Sequence, residues 1–221
     1  MNNLPTVYFI SGLGADKRAF QFLDLSFCNP VFVDWIEPLS GEHISHYAIR
    51  IKQQITDEHP IIVGLSFGGM VGAEIARKFP VKKLILLSSA KTEKEIPFYL
   101  KWLRYFPLHK VTSMSFLKKA NHTIYRFMGI EKRSDKIIFG EMFYNSDDHF
   151  TKWGINQIAN WRNNHVLSNA IHIHGTADIL LPHRYVHADY SVEGGEHLMV
   201  MTKGTVISKL LKHIILKALD L

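Results

Sequence analysis

The stretch Val63–Gly69, VGLSFGG, places Ser66 between glycines two residues before it and two residues after it. An apolar, strand-like run precedes it, and the helix-like run MVGAEIARKF follows it. A Gly-x-Ser-x-Gly pattern between a strand and a helix is typical of a nucleophile elbow, a sharp turn that strains the serine backbone and tolerates only small neighbours. The serine oxygen then lies at the N-terminus of a helix, where negative charge is favoured. We interpret Ser66 as a nucleophile; the alternative is a tight structural turn.

A serine hydroxyl needs a base that takes its proton, and a histidine oriented by a carboxylate is the usual solution. His197 follows a glycine pair and Glu196 after the last predicted strand, and Asp178 follows the strand before it. Both residues are expected at the carboxyl edge of a parallel sheet, where Ser66 also lies. The chain order Ser66, Asp178, His197 agrees with the elbow pattern. Glu196 adjoins His197, and Asp189 and Glu193 are rivals to Asp178 as the acid.

Apolar strands alternate with helical patterns over most of the chain. The predicted strands cover residues 6–11, 31–35, 60–64, 82–89, 170–175 and 188–194. Apolar residues recur at helical spacing over 44–55 and 206–215, and a helix after Ser66 ends before Pro80. This alternation predicts an α/β fold with a doubly wound, mostly parallel sheet.

The interval 91–165 interrupts the alternation, because its patterns indicate several helices and no clear strand. It contains fourteen of the twenty-six aromatic residues of the chain. We interpret residues 91–165 as a helical cap inserted into a core made of 1–90 and 166–221. Such a cap could line an apolar pocket above the sheet edge. The alternative is that its aromatic residues pack against one another.

Composition and charge restrict the function classes. A single cysteine, Cys28, excludes an internal disulfide framework and fits a reducing compartment. The first residues are interpreted as a strand and not as a signal peptide, so a cytoplasmic location is expected. No apolar run is long enough for a membrane-spanning helix, so no stable membrane insertion is expected.

The net charge of +6 is concentrated in Lys91–Gly140, which carries eleven Lys or Arg against four Asp or Glu. This basic segment could attract anionic substrates or a lipid surface, although a solvated helix face is the simpler explanation. The lipid hypothesis involves four basic residues: Lys118, Lys119, Lys132 and Arg133. No basic recognition motif for nucleic acid is present.

Other patterns do not indicate a cofactor. Gly12 and Gly14 begin a dinucleotide-binding motif, but Lys17 occupies the place of the third glycine. Two histidine pairs, His172 with His174 and His183 with His187, have spacings found in zinc sites, yet no third ligand follows at a motif spacing. We expect no cofactor and no metal. Asp34, at the end of the second strand, could line the pocket or cap a turn.

The chain resembles the α/β-hydrolase fold superfamily, outside the cap. The resemblance rests on four segments: SGLGADKRAF, GLSFGG, HGTADILLP and GGEH. It implies Ser66 as nucleophile, Asp178 as acid and His197 as base. It also implies an oxyanion hole made by the backbone N–H groups of Phe67 and Leu13, with Gly14 as the alternative to Leu13. The family often has His-Gly where this chain has Ser11-Gly12, and its first two strands have no counterpart here, so about six strands are expected.

The expected function is a cofactor-independent serine hydrolase of small to medium, partly apolar esters, which acts through an acyl-enzyme. The partner is a small-molecule acyl substrate, and the oligomeric state is open. The same three residues could serve a thioesterase, an amidase, an acyltransferase or a C–C hydrolase. A non-catalytic binding protein on this scaffold is the alternative from a different class.

Overall fold

A computed structural model describes residues 4–107, 112–113 and 121–219, without the side chain of residue 121. Its strands form a six-stranded sheet in which every neighbouring pair is parallel. The strands are β1 (Thr6–Ile10), β2 (Asn29–Val33), β3 (Ile61–Leu65), β4 (Lys83–Leu87), β5 (Ala170–Gly175) and β6 (Tyr190–Val192). The order across the sheet is β2-β1-β3-β4-β5-β6. This confirms the predicted parallel α/β architecture with about six strands.

The α-helices of the described residues lie between and after these strands. They are α1 (Ile44–Lys52), α2 (Phe67–Ala76), α3 (Phe98–Trp102), α4 (Asn121–Met128), α5 (Arg133–Asn145), α6 (Asp148–Asn160), α7 (Met199–Thr202) and α8 (Gly204–Ala218). Short 3₁₀ helices cover Lys17–Phe20, Glu93–Glu95 and His183–Tyr185. Within the described part of the chain, none of these helices has the length and apolar character needed to cross a membrane.

Alternate residues of each strand enter two apolar cores on opposite faces of the sheet. Val7 and Phe9 join the core that contains the inner face of α8, whereas Tyr8 and Ile10 join the core of α1 and α2. This follows from the two-residue period of a strand. Because the central strands are covered on both faces, their sequences are continuous apolar runs.

Strand bounds differ from the sequence-based expectation by a few residues. β2 begins at Asn29 and ends at Val33, two residues earlier than predicted, and β6 is limited to Tyr190–Val192. β2 and β6 are the edge strands, so each is paired on one side only. The apolar pattern of an edge strand is weaker, and its bounds are therefore harder to predict.

The described residues between β4 and β5 contain the helices α3, α4, α5 and α6, joined by turns and loops, and residues 91–107, 112–113 and 121–165 contain no strand. We call these residues the β4–β5 segment. Phe139 of α5 joins the α8-side core, and Phe150 of α6 joins the α1/α2-side core. Lys132 and Arg133 lie at the start of α5 and are exposed, whereas Lys118 and Lys119 lie outside the described residues.

Candidate active site

The strand order changes direction at one point of the sheet, between β1 and β3. The chain leaves β1 for β2 on one side and returns to β3 on the other, so β1 and β3 are neighbours whose connections diverge. Ligands of open α/β sheets bind at such a switch point, beyond the carboxyl ends of the strands. Ile10 is paired with Gly64 across β1 and β3, so Gly12 and Ser66 follow side by side.

Ser66 lies in the turn between β3 and α2 with φ of 50° and ψ of −118°, a strained conformation for a residue with a side chain. Its backbone N–H donates to the Leu87 carbonyl oxygen at 2.8 Å, which fixes the turn to β4. A Cβ atom at Gly64 would lie 2.5 Å from Gly69 Cα, and one at Gly68 would overlap the Ser11 carbonyl oxygen. The two glycines that frame Ser66 are therefore required by close backbone approach.

Ser89, just after β4, supports the same turn. Its hydroxyl donates to the Ser66 carbonyl oxygen at 2.7 Å. A Cβ atom at Gly69 would overlap the Ser89 hydroxyl oxygen, so the third glycine of the motif makes room for this contact. The local sequence around Ser89 does not predict this role, because it does not indicate which strand ends next to Ser66.

His197 lies between the serine and the acid that the sequence analysis named. Its Nε2 is 2.9 Å from Ser66 Oγ, and its Nδ1 is 2.8 Å from Asp178 Oδ2. The carboxylate can only accept, so Nδ1 carries the proton and Nε2 is free to accept from the Ser66 hydroxyl. Both His197 and Asp178 are buried. The structure thus brings together three residues that are up to 131 positions apart in the chain.

Asp178 is held by the turn that follows β5. Its Oδ1 accepts from the backbone N–H groups of Leu180 and Leu181 at 2.9 and 2.8 Å. Burial raises the pKa of Asp178, but the His197 ring and these hydrogen bonds outweigh burial and keep the pKa below its usual value of 3.8. The carboxylate is therefore ionised at neutral pH and can fix the orientation of His197.

The rival acids do not contact His197. Asp189 accepts from the backbone N–H of His172 and pairs with the Lys91 ammonium at 2.7 Å, and Glu193 is exposed. Burial and the neighbouring Glu131 raise the pKa of Glu196, which packs over Gly129 instead. Asp34 does not line the cavity beside Ser66; its backbone is hydrogen-bonded to the Gln54 side chain.

Two buried histidines lie behind Asp178. His174 Nε2 donates to the Leu181 carbonyl oxygen at 2.7 Å and lies 3.4 Å from Asp178 Oδ2. Its Nδ1 must then accept from His172 Nε2, 3.1 Å away, which leaves His172 Nδ1 unprotonated and without a partner among the described residues. Burial lowers the pKa of His174 and, more strongly, that of His172, so both rings are neutral at neutral pH.

The structure gives the histidine pairs local partners. His183 Nε2 is 2.8 Å from the Ser191 hydroxyl, and the backbone N–H of His187 donates to Glu95. Across the described ranges, no group of three or more His, Cys, Asp or Glu side chains is arranged to hold a metal ion.

Among the described residues outside the regular helix and strand bonds, no backbone carbonyl accepts from the N–H groups of Leu13 and Phe67, the two donors that the resemblance implies. Phe67 begins α2, and Leu13 follows Gly12, where a Cβ atom would lie 3.5 Å from Ser66 Cβ. The next residue, Gly14, has φ of 73° and turns the loop back toward the Lys17–Phe20 helix. Because α2 begins directly after Ser66, the N-terminus of this helix, where negative charge is favoured, lies next to the serine.

An apolar cavity of about 310 Å³ opens beside Ser66 and His197. The β4–β5 segment supplies much of its lining: Ile96, Leu100, Leu103, Ile124, Met128, Phe139, Phe143, Thr151, Ile155 and Ile158. The core supplies Leu13, Met70 and the Leu180–Leu181 pair, and His197 is the only ionisable side chain among the described lining residues. An uncharged, mostly apolar group fits this cavity without leaving a charge unpaired.

Solved structures with a similar fold were found over nearly the whole chain. An esterase from Thermogutta terrifontis is 12% identical, with a TM-score of 0.71, and the match covers 98% of this chain and 91% of the other. The enol-lactonase from Burkholderia xenovorans is 14% identical, with a TM-score of 0.73 and coverage of 97% and 92%. MenH from S. aureus is 10% identical, with a TM-score of 0.74 and coverage of 99% and 96%.

The chain has the α/β-hydrolase fold. The resemblance stated from the four sequence segments is confirmed at the level of this fold. No protein-family model matches the chain, and no curated protein matches it in sequence. Sequence identities of 10–14% establish the architecture and leave activity to be argued from the site.

Proposed function

We propose that the protein is a serine hydrolase that cleaves small to medium, partly apolar carboxylic esters. The observation that carries the proposal is the unbroken hydrogen-bond chain from Asp178 through His197 to Ser66 at a strained strand–helix turn. This arrangement activates a hydroxyl for attack, because the base touches the nucleophile and the acid fixes the tautomer of the base. The fold, which esterases and an enol-lactonase also have, supports the same reaction class.

In the proposed acylation, Ser66 Oγ attacks the ester carbonyl carbon while its proton moves to His197 Nε2. The carbonyl oxygen becomes an oxyanion that accepts hydrogen bonds from the backbone N–H groups of Leu13 and Phe67. His197 then returns the proton to the alcohol oxygen as the C–O bond breaks, which leaves an acyl-Ser66 ester. Each oxyanion donor contributes roughly 10²–10³-fold in rate.

Deacylation repeats these steps with water. His197 Nε2 takes a proton from a water molecule whose oxygen attacks the acyl carbon, and it then returns the proton to Ser66 Oγ. Asp178 stays ionised and stabilises the imidazolium in both halves of the cycle. The balance is one ester and one water consumed, and one acid and one alcohol released.

The β4–β5 segment is proposed as a cap over this site. Its side chains line the cavity together with Ser66, which follows β3, and His197, which follows β6. The cap would exclude water from the oxyanion and hold the apolar part of the ester. The cavity has room for an acyl or alkyl chain but offers no charged partner among its described lining residues, which favours uncharged esters.

A fluorophosphonate probe tests the nucleophile directly. The wild-type protein should be labelled with one equivalent of probe, and Ser66→Ala should lose the label. The same variant should hydrolyse a nitrophenyl ester on the order of 10⁴-fold more slowly. Ser26→Ala, which changes an exposed serine that is not among the described residues lining the cavity, is the matched control and should behave like wild type.

The alternative of a non-catalytic binding protein makes the opposite prediction. Such a protein would resist the probe and would bind an apolar ester without turning it over. Unlabelled, folded wild-type protein would therefore contradict the proposed hydrolase. Parallel assays with esters, thioesters and amides of the same acyl group separate the reaction classes that this site could serve.

A further inference from the structure

Four large aromatic side chains are exposed on and just after α3. Phe98, Trp102, Tyr105 and Phe106 are 59–71% exposed, and we call them the α3 patch. Aromatic side chains of this size are normally buried, and a contiguous exposed group of them marks a surface that binds something.

The α3 patch is a single surface. Phe98 and Trp102 are four residues apart and therefore lie on one side of α3. The Trp102 and Phe106 rings are 6.1 Å apart, and the Phe106 N–H donates to the Trp102 carbonyl oxygen at 3.0 Å. The turn after α3 thus extends the aromatic surface of the helix.

The opposite side of the same element faces the candidate active site. Leu100 and Leu103 line the cavity. The Tyr99 hydroxyl donates to the Leu180 carbonyl oxygen at 2.7 Å, in the turn that holds Asp178. One short element therefore carries the wall of the cavity on its inner side and the exposed aromatic residues on its outer side.

Charge identifies the kind of partner. The sequence from Ile96 to Pro107 contains Lys101 and Arg104 and no acidic residue. The Arg104 guanidinium lies 5.7 Å from the centre of the Tyr105 ring, so a cation lies within the aromatic surface. Segments that lie in the headgroup region of anionic bilayers typically combine exposed aromatic residues with interleaved Lys and Arg.

We propose that the α3 patch docks on the surface of an anionic lipid bilayer and lies in the interface without crossing it. Docking would place the cavity wall at the lipid surface, where apolar esters are concentrated. The delivery of lipid-borne esters to Ser66 rests on the proposed function, whereas the docking itself does not.

Trp102 provides the probe for this docking. It is one of four tryptophans and the exposed one; Trp161 is buried, and Trp35 and Trp153 are partly buried. The experiment uses the Ser66→Ala protein, so that ester cleavage cannot alter the membrane. Vesicles of phosphatidylcholine and phosphatidylglycerol in equal amounts should shift its emission to shorter wavelength, and Trp102→Phe should remove the shift.

Vesicle co-sedimentation then measures the contributions of the aromatic and the basic residues. Trp102→Ser combined with Phe106→Ser should weaken binding at least about tenfold. Lys101→Gln and Arg104→Gln should each weaken it about fivefold at low salt, and added salt should weaken the wild type similarly. The control pair Ile137→Ser and Val206→Ser, exposed apolar residues of α5 and α8, should bind like wild type.

Three results would overturn the proposal. Emission that does not change with anionic vesicles excludes docking, and equal binding to pure phosphatidylcholine vesicles removes the role of the basic residues. A Trp102 shift that depends on protein concentration without vesicles identifies a second copy of the chain as the partner. Fluorophosphonate labelling of Ser66 is independent of all three, so failure of docking and failure of the proposed function can be told apart.

Discussion

Gly154 of α6 lies directly against the side chain of Leu13, the residue whose backbone N–H is a proposed oxyanion donor. A Cβ atom at residue 154 would overlap Leu13 Cδ1 and would lie 3.1 Å from Cδ2. The loop after β1 is thus positioned by a helix of the β4–β5 segment as well as by the sheet. If Leu13 donates to the oxyanion as proposed, the packing of the β4–β5 segment at this contact would affect catalysis.

Gly154→Ala tests this coupling. The new methyl group should displace Leu13 and move its N–H away from the oxyanion position, and small misplacements of catalytic groups have large effects on rate. We expect kcat for a nitrophenyl ester to fall about tenfold with little change in KM. Steady-state kinetics measures both.

Gly140→Ala is the matched control, because Gly140 is also inside a helix of the β4–β5 segment. Its added methyl group would meet only the terminal oxygen of Tyr125, which can move. Both substitutions should gain helix propensity, up to about 1 kcal/mol. Equal activity of the two variants would contradict a positioning role for the Leu13–Gly154 contact.

Ser89→Ala tests the support of the nucleophile turn. The variant loses the hydrogen bond to the Ser66 carbonyl oxygen, but that oxygen still accepts from the Gly69 N–H at 2.9 Å. The free energy of unfolding should therefore fall by only about 1 kcal/mol. We expect kcat to fall further than this stability loss explains, because the strained turn is less firmly held.

Ser208→Ala separates stability from catalysis in that experiment. The Ser208 hydroxyl donates to the Gly204 carbonyl oxygen and accepts from the Asp24 N–H, and it is buried in α8. Loss of this hydroxyl should lower the free energy of unfolding at least as much as Ser89→Ala does, and kcat should stay unchanged. Urea unfolding and ester kinetics on both variants decide the matter; the same kcat in both would argue against a role for Ser89 in the turn.

The fold and the three candidate site residues could be predicted because their signals are local. The two-residue period of the strands and the glycines around Ser66 are written in short segments, and parallel strands place their carboxyl ends at one edge. The Leu13–Gly154 contact, the Ser89 hydrogen bond and the His172–His174 pair could not be predicted. Each depends on which residues of distant elements become neighbours, and that follows from strand order and helix packing.

Because His172 and His174 are buried, we expect the protein to lose stability in acid. Burial, the His174 ring and Lys91 lower the pKa of His172 well below 6.5, and burial also lowers that of His174. Their rings are easier to protonate in the unfolded chain, so the stability is fully present above pH 6.5 and is lost as pH falls through the lowered values. For each proton that the unfolded chain binds in excess of the folded protein, the free energy of unfolding falls by up to about 1.4 kcal/mol per pH unit.

Urea unfolding on both sides of pH 6.5 measures this slope. His172→Gln removes one titrating ring, and the glutamine amide can still donate to His174 Nδ1. The slope of the free energy of unfolding against pH should therefore decrease by the amount that corresponds to about one proton. A slope that is the same in wild type and variant would contradict the assignment. Asp178 acts at lower pH, because its pKa is below 3.8 and its contribution is lost only as pH falls through that range.

The size of the apolar cavity predicts chain-length selectivity. Ile155 of α6 lines the cavity, and Ile155→Trp would fill part of its roughly 310 Å³. The ratio of kcat/KM for a longer acyl ester to that for an acetate ester should fall about tenfold or more, because about 0.8 kcal/mol of burial is lost for each methylene that no longer fits. Nitrophenyl esters of increasing acyl length provide the measurement. Ile137→Trp, at an exposed position of α5, is the control; a drop of the same size in that variant would show that the cavity does not set the selectivity.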